Sequence, residues 1–403
     1  MNTFLAAATS AFLFLAPFTG SAGLRTAVLL LAAIALAASW RTHVAPYAQR
    51  IPLAIAATFA AWALLAVASL MWSVDRAYTL YELRTEIAYP VLAVAVFFLV
   101  AQQPGRWRTW CIALLAGTAV VFALHMAQRT FGFSLSRHAV FEQRGPWSTH
   151  LVLMAPLVLA LAWQPPWGAG RGVAIGTGAM VLLLFAAWET DNRIIWVALA
   201  VQFLIVAAMR PAGANGGTRA LRRMAVVAAL VATAALAASI IDRSALHFAG
   251  ASDSLERDVR PRIWGVAWDK FSQAPMLGHG FGREILSADF IPQTPRVLNH
   301  PQIRHGHNVF VDVALELGLV GLAVFVALLA LLAREYRGYL ERAELAPLGT
   351  VGLAVVAGFV VKCLTDDFLY RHNGLVFWSL NAMLLGLARS TPRPMPRAEA
   401  APP

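Results

Sequence analysis

Apolar runs of about 17 to 22 residues recur along nearly the whole chain, near 3–19, 23–40, 52–71, 86–102, 109–127, 148–164, 172–188, 194–209, 224–241, 309–333, 346–364 and 373–388. In hydrocarbon each backbone N–H and C=O must be satisfied within its own segment, so runs of this length predict helices. The pattern therefore predicts an all-α polytopic membrane protein of about 12 transmembrane helices. The ninth and tenth runs are separated by the longest polar interval, a loop over 242–307. Residues 1–390 read as one transmembrane domain without an internal repeat, and the Pro-rich residues 391–403 as a disordered tail. The first run lacks a basic leader and is followed at once by a second, so a retained helix is expected rather than a cleaved signal peptide.

Composition agrees with the pattern. The chain of 403 residues is 59% hydrophobic and only 13% charged, which excludes an ordinary soluble domain. Its two cysteines, Cys111 and Cys363, both lie in apolar runs, so neither a disulfide framework nor a CxxC site is expected.

The charge of +11 is almost wholly arginine, Lys270 and Lys362 being the only lysines. Arg41, Arg50, Arg106, Arg108, Arg171, the group from Arg210 to Arg223, Arg334, Arg337, Arg342 and the tail arginines fall on one side of the predicted spans. That side is expected to be cytoplasmic, together with both termini. The 242–307 loop then faces the periplasm, if the protein sits in a Gram-negative inner membrane. The outer face is nearly as arginine-rich, which points to an anionic ligand there.

Several residues carry candidate chemistry. Arg193 ends the short turn ETDNR between two apolar runs; it either snorkels to water, the favoured reading for the residue alone, or binds a phosphate with its planar fork. Arg144 precedes Gly145-Pro146, a helix start whose free N–H groups suit an anion, although a plain membrane-entry turn explains it equally well. Ser254 to Ala274 reads as an amphipathic helix in the loop, capped by Ser254, with a stripe of Ile263, Trp264, Ala267 and Phe271. Lying along the membrane surface, it would place Trp264 and Trp268 at headgroup level, with Arg260 and Arg262 near its start, either solvated or facing phosphates.

The His305-Gly306-His307-Asn308 cluster closes the loop. An HxH pair without a third ligand nearby does not predict a metal site. An interfacial histidine is structural or serves as a general base toward a sugar hydroxyl. Asn308 is placed to orient a ring or substrate. Asp312 and Glu316 follow on the same helical face and are expected to line a cavity.

Taken together, Arg260-xxx-Trp264, then APMLGHGFG at 274–282, HNVFV at 307–311 and ELGLVG at 316–321 resemble the core of the O-antigen ligase and polymerase superfamily. The order of parts is also similar, with about twelve spans and a large late loop. The resemblance implies a metal-independent, inverting glycosyltransferase without a cofactor, taking a glycan from undecaprenyl pyrophosphate. In a ligase the acceptor is a sugar hydroxyl of the lipid A core. By the same resemblance His307 matches the proposed catalytic histidine, Arg260 the loop-helix arginine, and Arg193 the arginine that starts a middle span. The choice between Arg260 and Arg262, and the role of His305, stay open.

The expected partners are undecaprenyl-pyrophosphate-linked O-antigen, the lipid A core oligosaccharide and the phospholipid bilayer, with no nucleic acid. An O-antigen polymerase or a protein O-oligosaccharyltransferase would use the same donor. A transporter of anionic lipids is the alternative from another class, but it gives no reason to pair Arg260 with His307 in one outward loop. The compact chain with a single late loop favours the ligase.

Overall fold

The computed structural model describes residues 2–48, 50–103, 106–132, 144–163, 169–209, 216–246, 260–293, 303–365 and 367–390. A helix covers each apolar run: α1 (Asn2–Leu15), α2 (Ala22–Ala38), α3 (Leu53–Ala68), α4 (Arg76–Ala101), α5 (Arg106–Phe131), α6 (Arg144–Trp163), α7 (Ala169–Glu189), α8 (Arg193–Ala208) and α9 (Gly216–Leu246) come first. The loop helix α10 (Arg260–Gln273) precedes α11 (Val309–Tyr339), α12 (Ala346–Lys362) and α13 (Arg371–Ser390). No strand occurs among the described residues. Five of these helices, α2, α3, α4, α5 and α11, are long and apolar enough to cross a membrane, and five others are shorter apolar helices. The fold is that of an all-α polytopic membrane protein.

Hydrophobic side chains face outward as well as inward. Leu53, Leu64, Met71, Leu182 and Leu230 are all more than half exposed. Such a surface suits hydrocarbon rather than water. Inside the bundle, helices approach through small residues and a few hydrogen-bonded polar groups. Gln202 of α8 donates to the carbonyls of Val152 on α6 and Ala354 on α12, at 2.9 Å each, and Gly358 leaves the room its side chain occupies. Cys111 and Cys363 are both buried, and neither forms a disulfide among the described residues.

The feature that places the loop is a break in α11. At Gly318 the backbone leaves helical geometry (φ 66°, ψ −164°), although the residues on both sides remain helical. The turn Pro275–Gly282 fills the gap. His279 and Gly280 donate to the carbonyls of Leu315 and Glu316 at 2.9 and 3.0 Å, while Leu319 and Val320 donate to those of Pro275 and Met276 at 2.8 and 3.3 Å. The backbone groups released by the break thus find partners in the turn.

Two glycines make this fit possible. Gly278 and Gly318 both have φ near +67°, and a Cβ on either would strike the opposite backbone, at Glu316 and Met276 respectively. The motifs APMLGHGFG and ELGLVG are therefore halves of one packed unit. The same turn is tied to the α3–α4 connection: Trp72 Nε1 donates to the Leu277 carbonyl (3.0 Å), Val74 N to that of His279 (2.9 Å), and Phe281 N to Ser69 Oγ (2.9 Å). Phe281 is buried edge-on against Trp62, which in turn packs on Phe325 of α11.

Gly278→Ala and Gly318→Ala each combine a disfavoured backbone with a backbone clash, and each is expected to cost about 2–4 kcal/mol. Gly23→Ala, which meets open space, is the control and is expected to stay within about 1 kcal/mol of wild type. Tryptophan-fluorescence melts of the purified proteins in detergent would check the contrast.

Candidate active site

The turn 305–308 is held from three directions. Asp312, buried one turn into α11, places one carboxylate oxygen 3.0 Å from His305 Nδ1 and accepts the Gly306 N–H on the other at 2.6 Å. Nδ1 also lies 3.2 Å from the His307 N–H, but it cannot accept from that group while donating to Asp312. Donation to the carboxylate is the stronger bond, and it fixes the His305 tautomer. From α10, Trp264 Nε1 donates to the Gly306 carbonyl at 3.2 Å. A Cβ on Gly306 would press on Val311 and Asp312, so the tight turn needs glycine.

Asn308 caps α11, its Oδ1 accepting from Phe310 N (2.9 Å) and Val311 N (3.4 Å). Its amide donates to the Leu364 carbonyl (3.1 Å), and Val309 N donates to that of Cys363 (3.1 Å), so the end of α12 forms the third support. His307 sits between these anchors with φ +52°, half-buried, its ring 4.4 Å from that of His305. Its backbone is fixed by its neighbours, as a general base requires for a constant geometry.

The arginines divide. Arg193 is exposed at the start of α8, and Asn192 just before it donates to Ser148 Oγ on α6 at 3.1 Å, which brings the starts of α6 and α8 together. Arg144 opens α6 and Arg260 opens α10, and their side chains lie outside the described set. Arg262 is exposed two residues into α10. The start of α6 is joined to that of α13 through Asn373, whose amide donates to the Pro146 carbonyl at 3.2 Å. The start of α13 leads to Asp367 and from there to Arg283 and the 305–308 turn. One end of the bundle thus gathers His305, His307, Asn308, Asp312, Arg193 and the helix starts at Arg144 and Arg260.

One expectation changes, one is refined, and one falls outside the described residues. The Ser254 cap lies outside the described residues, and α10 is described from Arg260. Trp264 donates to the Gly306 carbonyl while remaining half-exposed, and Trp268 is exposed one turn further along α10. Asp312 and Glu316 line no open cavity: both are buried and bond backbone N–H groups, Glu316 that of Gly282 at 3.2 Å.

A buried ionic layer beside the turn was missed as a unit. Arg371 donates to Glu82 (2.9 Å) and Thr85 (3.0 Å), its backbone N–H to Glu86 (3.0 Å), and its guanidinium also meets the Tyr370 hydroxyl. Arg283 lies 3.8 Å over the Tyr370 ring and donates to the Asp367 carbonyl at 3.0 Å. The pair Glu82 and Glu86, one turn apart at the entry to the apolar run 86–102, was the available signal; their partner is 285 positions or more away.

Burial, and after it the charge of Asp312, pushes Asp367 up to about 7 against the pull of Arg283 and His305. Because this value is raised above the ordinary 3.8, the folded state favours the protonated acid. That contribution is complete below about pH 4 and is lost as pH rises through about 7. The wild-type melting temperature is therefore expected to fall between pH 5 and pH 8, and Asp367→Asn to flatten that slope; an unchanged slope would refute the assignment.

Comparison with known protein families matches residues 178–326 to the O-antigen ligase family. No curated protein matches the chain. The matched segment begins within α7 and ends beyond the Gly318 break, and it contains Arg193, α10, the glycine turn and the 305–308 turn. This segment, 178–326, is where the chain is similar to the O-antigen ligase family.

Proposed function

We infer that this protein is a ligase-type glycosyltransferase that moves O-antigen from undecaprenyl pyrophosphate onto a sugar hydroxyl of the lipid A core, without metal or cofactor. The observation that carries this reading is the clamped 305–308 turn, lying within the family-matched segment at the end of the bundle where Arg193 and the starts of α6 and α10 also lie. In the reaction, His307 takes the proton of the acceptor hydroxyl as its oxygen bonds the anomeric carbon. The bond from that carbon to pyrophosphate breaks, and the leaving group departs with the electron pair. A single displacement inverts the anomeric configuration.

Arg193, with Arg260 or Arg262 and Arg144, neutralises the departing pyrophosphate. His305 acts through its bond to Asp312, which holds the turn. The reaction belongs at the periplasmic face of the inner membrane. In support, Arg50, Arg222 and Arg389 bond at the opposite end of the bundle, where a positive cytoplasmic face is expected.

The test uses purified protein in nanodiscs with lipid-linked O-antigen and rough lipopolysaccharide, in the presence of chelator. His307→Asn is the informative variant, because asparagine tolerates the left-handed backbone that alanine resists. It is expected to lower transfer by about 10²–10⁴-fold while leaving the melting temperature near wild type. Arg193→Ala is expected to slow transfer at least about tenfold. Full transfer by His307→Asn, or movement of donor across vesicles without glycan transfer, would overturn the reading.

A further inference from the structure

A cavity of about 560 Å³, within the size range of small-molecule sites, opens beside α10 and is not part of the mechanism above. Its walls include Asp75 and Tyr78 from the start of α4, Lys270 and Gln273 from α10, and Glu284 and Arg304 from the loop. Arg304 immediately precedes His305, so the cavity borders the turn that carries His307.

The charge of the lining decides what fits. Lys270 pairs with Asp289 at 2.7 Å, and Arg304 approaches Glu284 at 3.4 Å. With Asp75 added, three carboxylates stand against two cations, so the cavity has no surplus positive charge for a pyrophosphate. Paired ionic groups at fixed positions still offer lone pairs and N–H bonds, and the Gln273 amide offers both kinds. A ligand matched to that wall is uncharged and rich in hydroxyl groups.

The cavity is also built rather than incidental. Gly282 leaves room for the Tyr78 ring, whose hydroxyl accepts the Glu284 N–H at 3.1 Å. Asp75 accepts the Tyr78 N–H at 2.9 Å, and the His279 ring bonds the Lys270 carbonyl at 2.9 Å. Beneath lies a small separate core of Ile263, Ala267, Ile285, Leu286 and Phe290. The glycine turn thus has a second consequence beyond closing α11: it shapes this wall.

We propose that the cavity is a saccharide subsite, holding sugar units next to the reacting centre. It rests on the transferase reading, in which two hydroxyl-rich glycans approach His307: the O-antigen of the donor and the core oligosaccharide of the acceptor.

The experiment measures binding apart from transfer. Core oligosaccharide and O-polysaccharide, each released from its lipid and free of pyrophosphate, are titrated separately against the full chain in nanodiscs by saturation-transfer NMR. Ala288→Trp fills the cavity without removing a polar group, and Gln273→Ala removes one exposed amide. Both are expected to weaken binding at least about tenfold at an unchanged melting temperature, whereas His307→Asn binds as wild type does. The glycan whose signal collapses in both variants identifies the source. Absence of binding to wild type, or undiminished binding to Ala288→Trp, overturns the subsite. Binding that obeys these expectations in a protein that transfers nothing sustains the subsite and sinks the transferase reading instead.

Discussion

The exchange of backbone hydrogen bonds between the broken helix α11 and the turn Pro275–Gly282 is the constraint on which the site depends. A helix interrupted at Gly318 exposes amides and carbonyls that hydrocarbon cannot satisfy. The turn supplies those partners, and in doing so it brings Gly282 to Glu316, Phe281 to Trp62 and Trp72 to Leu277. The 305–308 turn is then fixed from above by Trp264 and from below by Asp312, because α10 leads directly into the glycine turn and α11 carries both.

Much of this architecture was legible in the chain. Apolar run length alone located every long helix, since the requirement for internally satisfied backbone leaves few alternatives. The loop helix was legible from the spacing of Ile263, Ala267 and Phe271. What periodicity does not carry is the interruption of α11, because ELGLVG continues an apolar pattern through a residue whose backbone is not helical. The role of Asp312 was half legible: its spacing from Asn308 placed it on the correct face, but its contacts with His305 and Gly306 depend on the fold of the turn. The ionic layer was least legible, because Glu82 and Arg371 meet only after the ends of α4 and α13 are brought together.

That layer alters the electrostatic picture. An outer face counted from sequence as uniformly rich in arginine is divided in the structure. Arg283 and Arg371 are engaged internally with Asp367, Glu82 and Glu86, whereas Arg193 and Arg262 remain exposed. The first pair organises the fold around Tyr370. The second pair retains the donors that an anionic group would need.

The break at Gly318 also acts as a ruler. Residues 319–339 form about 21 helical residues, or roughly 32 Å of helix, ending in the charged turn that carries Arg334 and Arg337. The nine residues before the break, 309–317, add up to about 13 Å of helix on the side of the 305–308 turn. A single glycine thus sets the angle and the distance at which the 305–308 turn stands from the charged far end of α11.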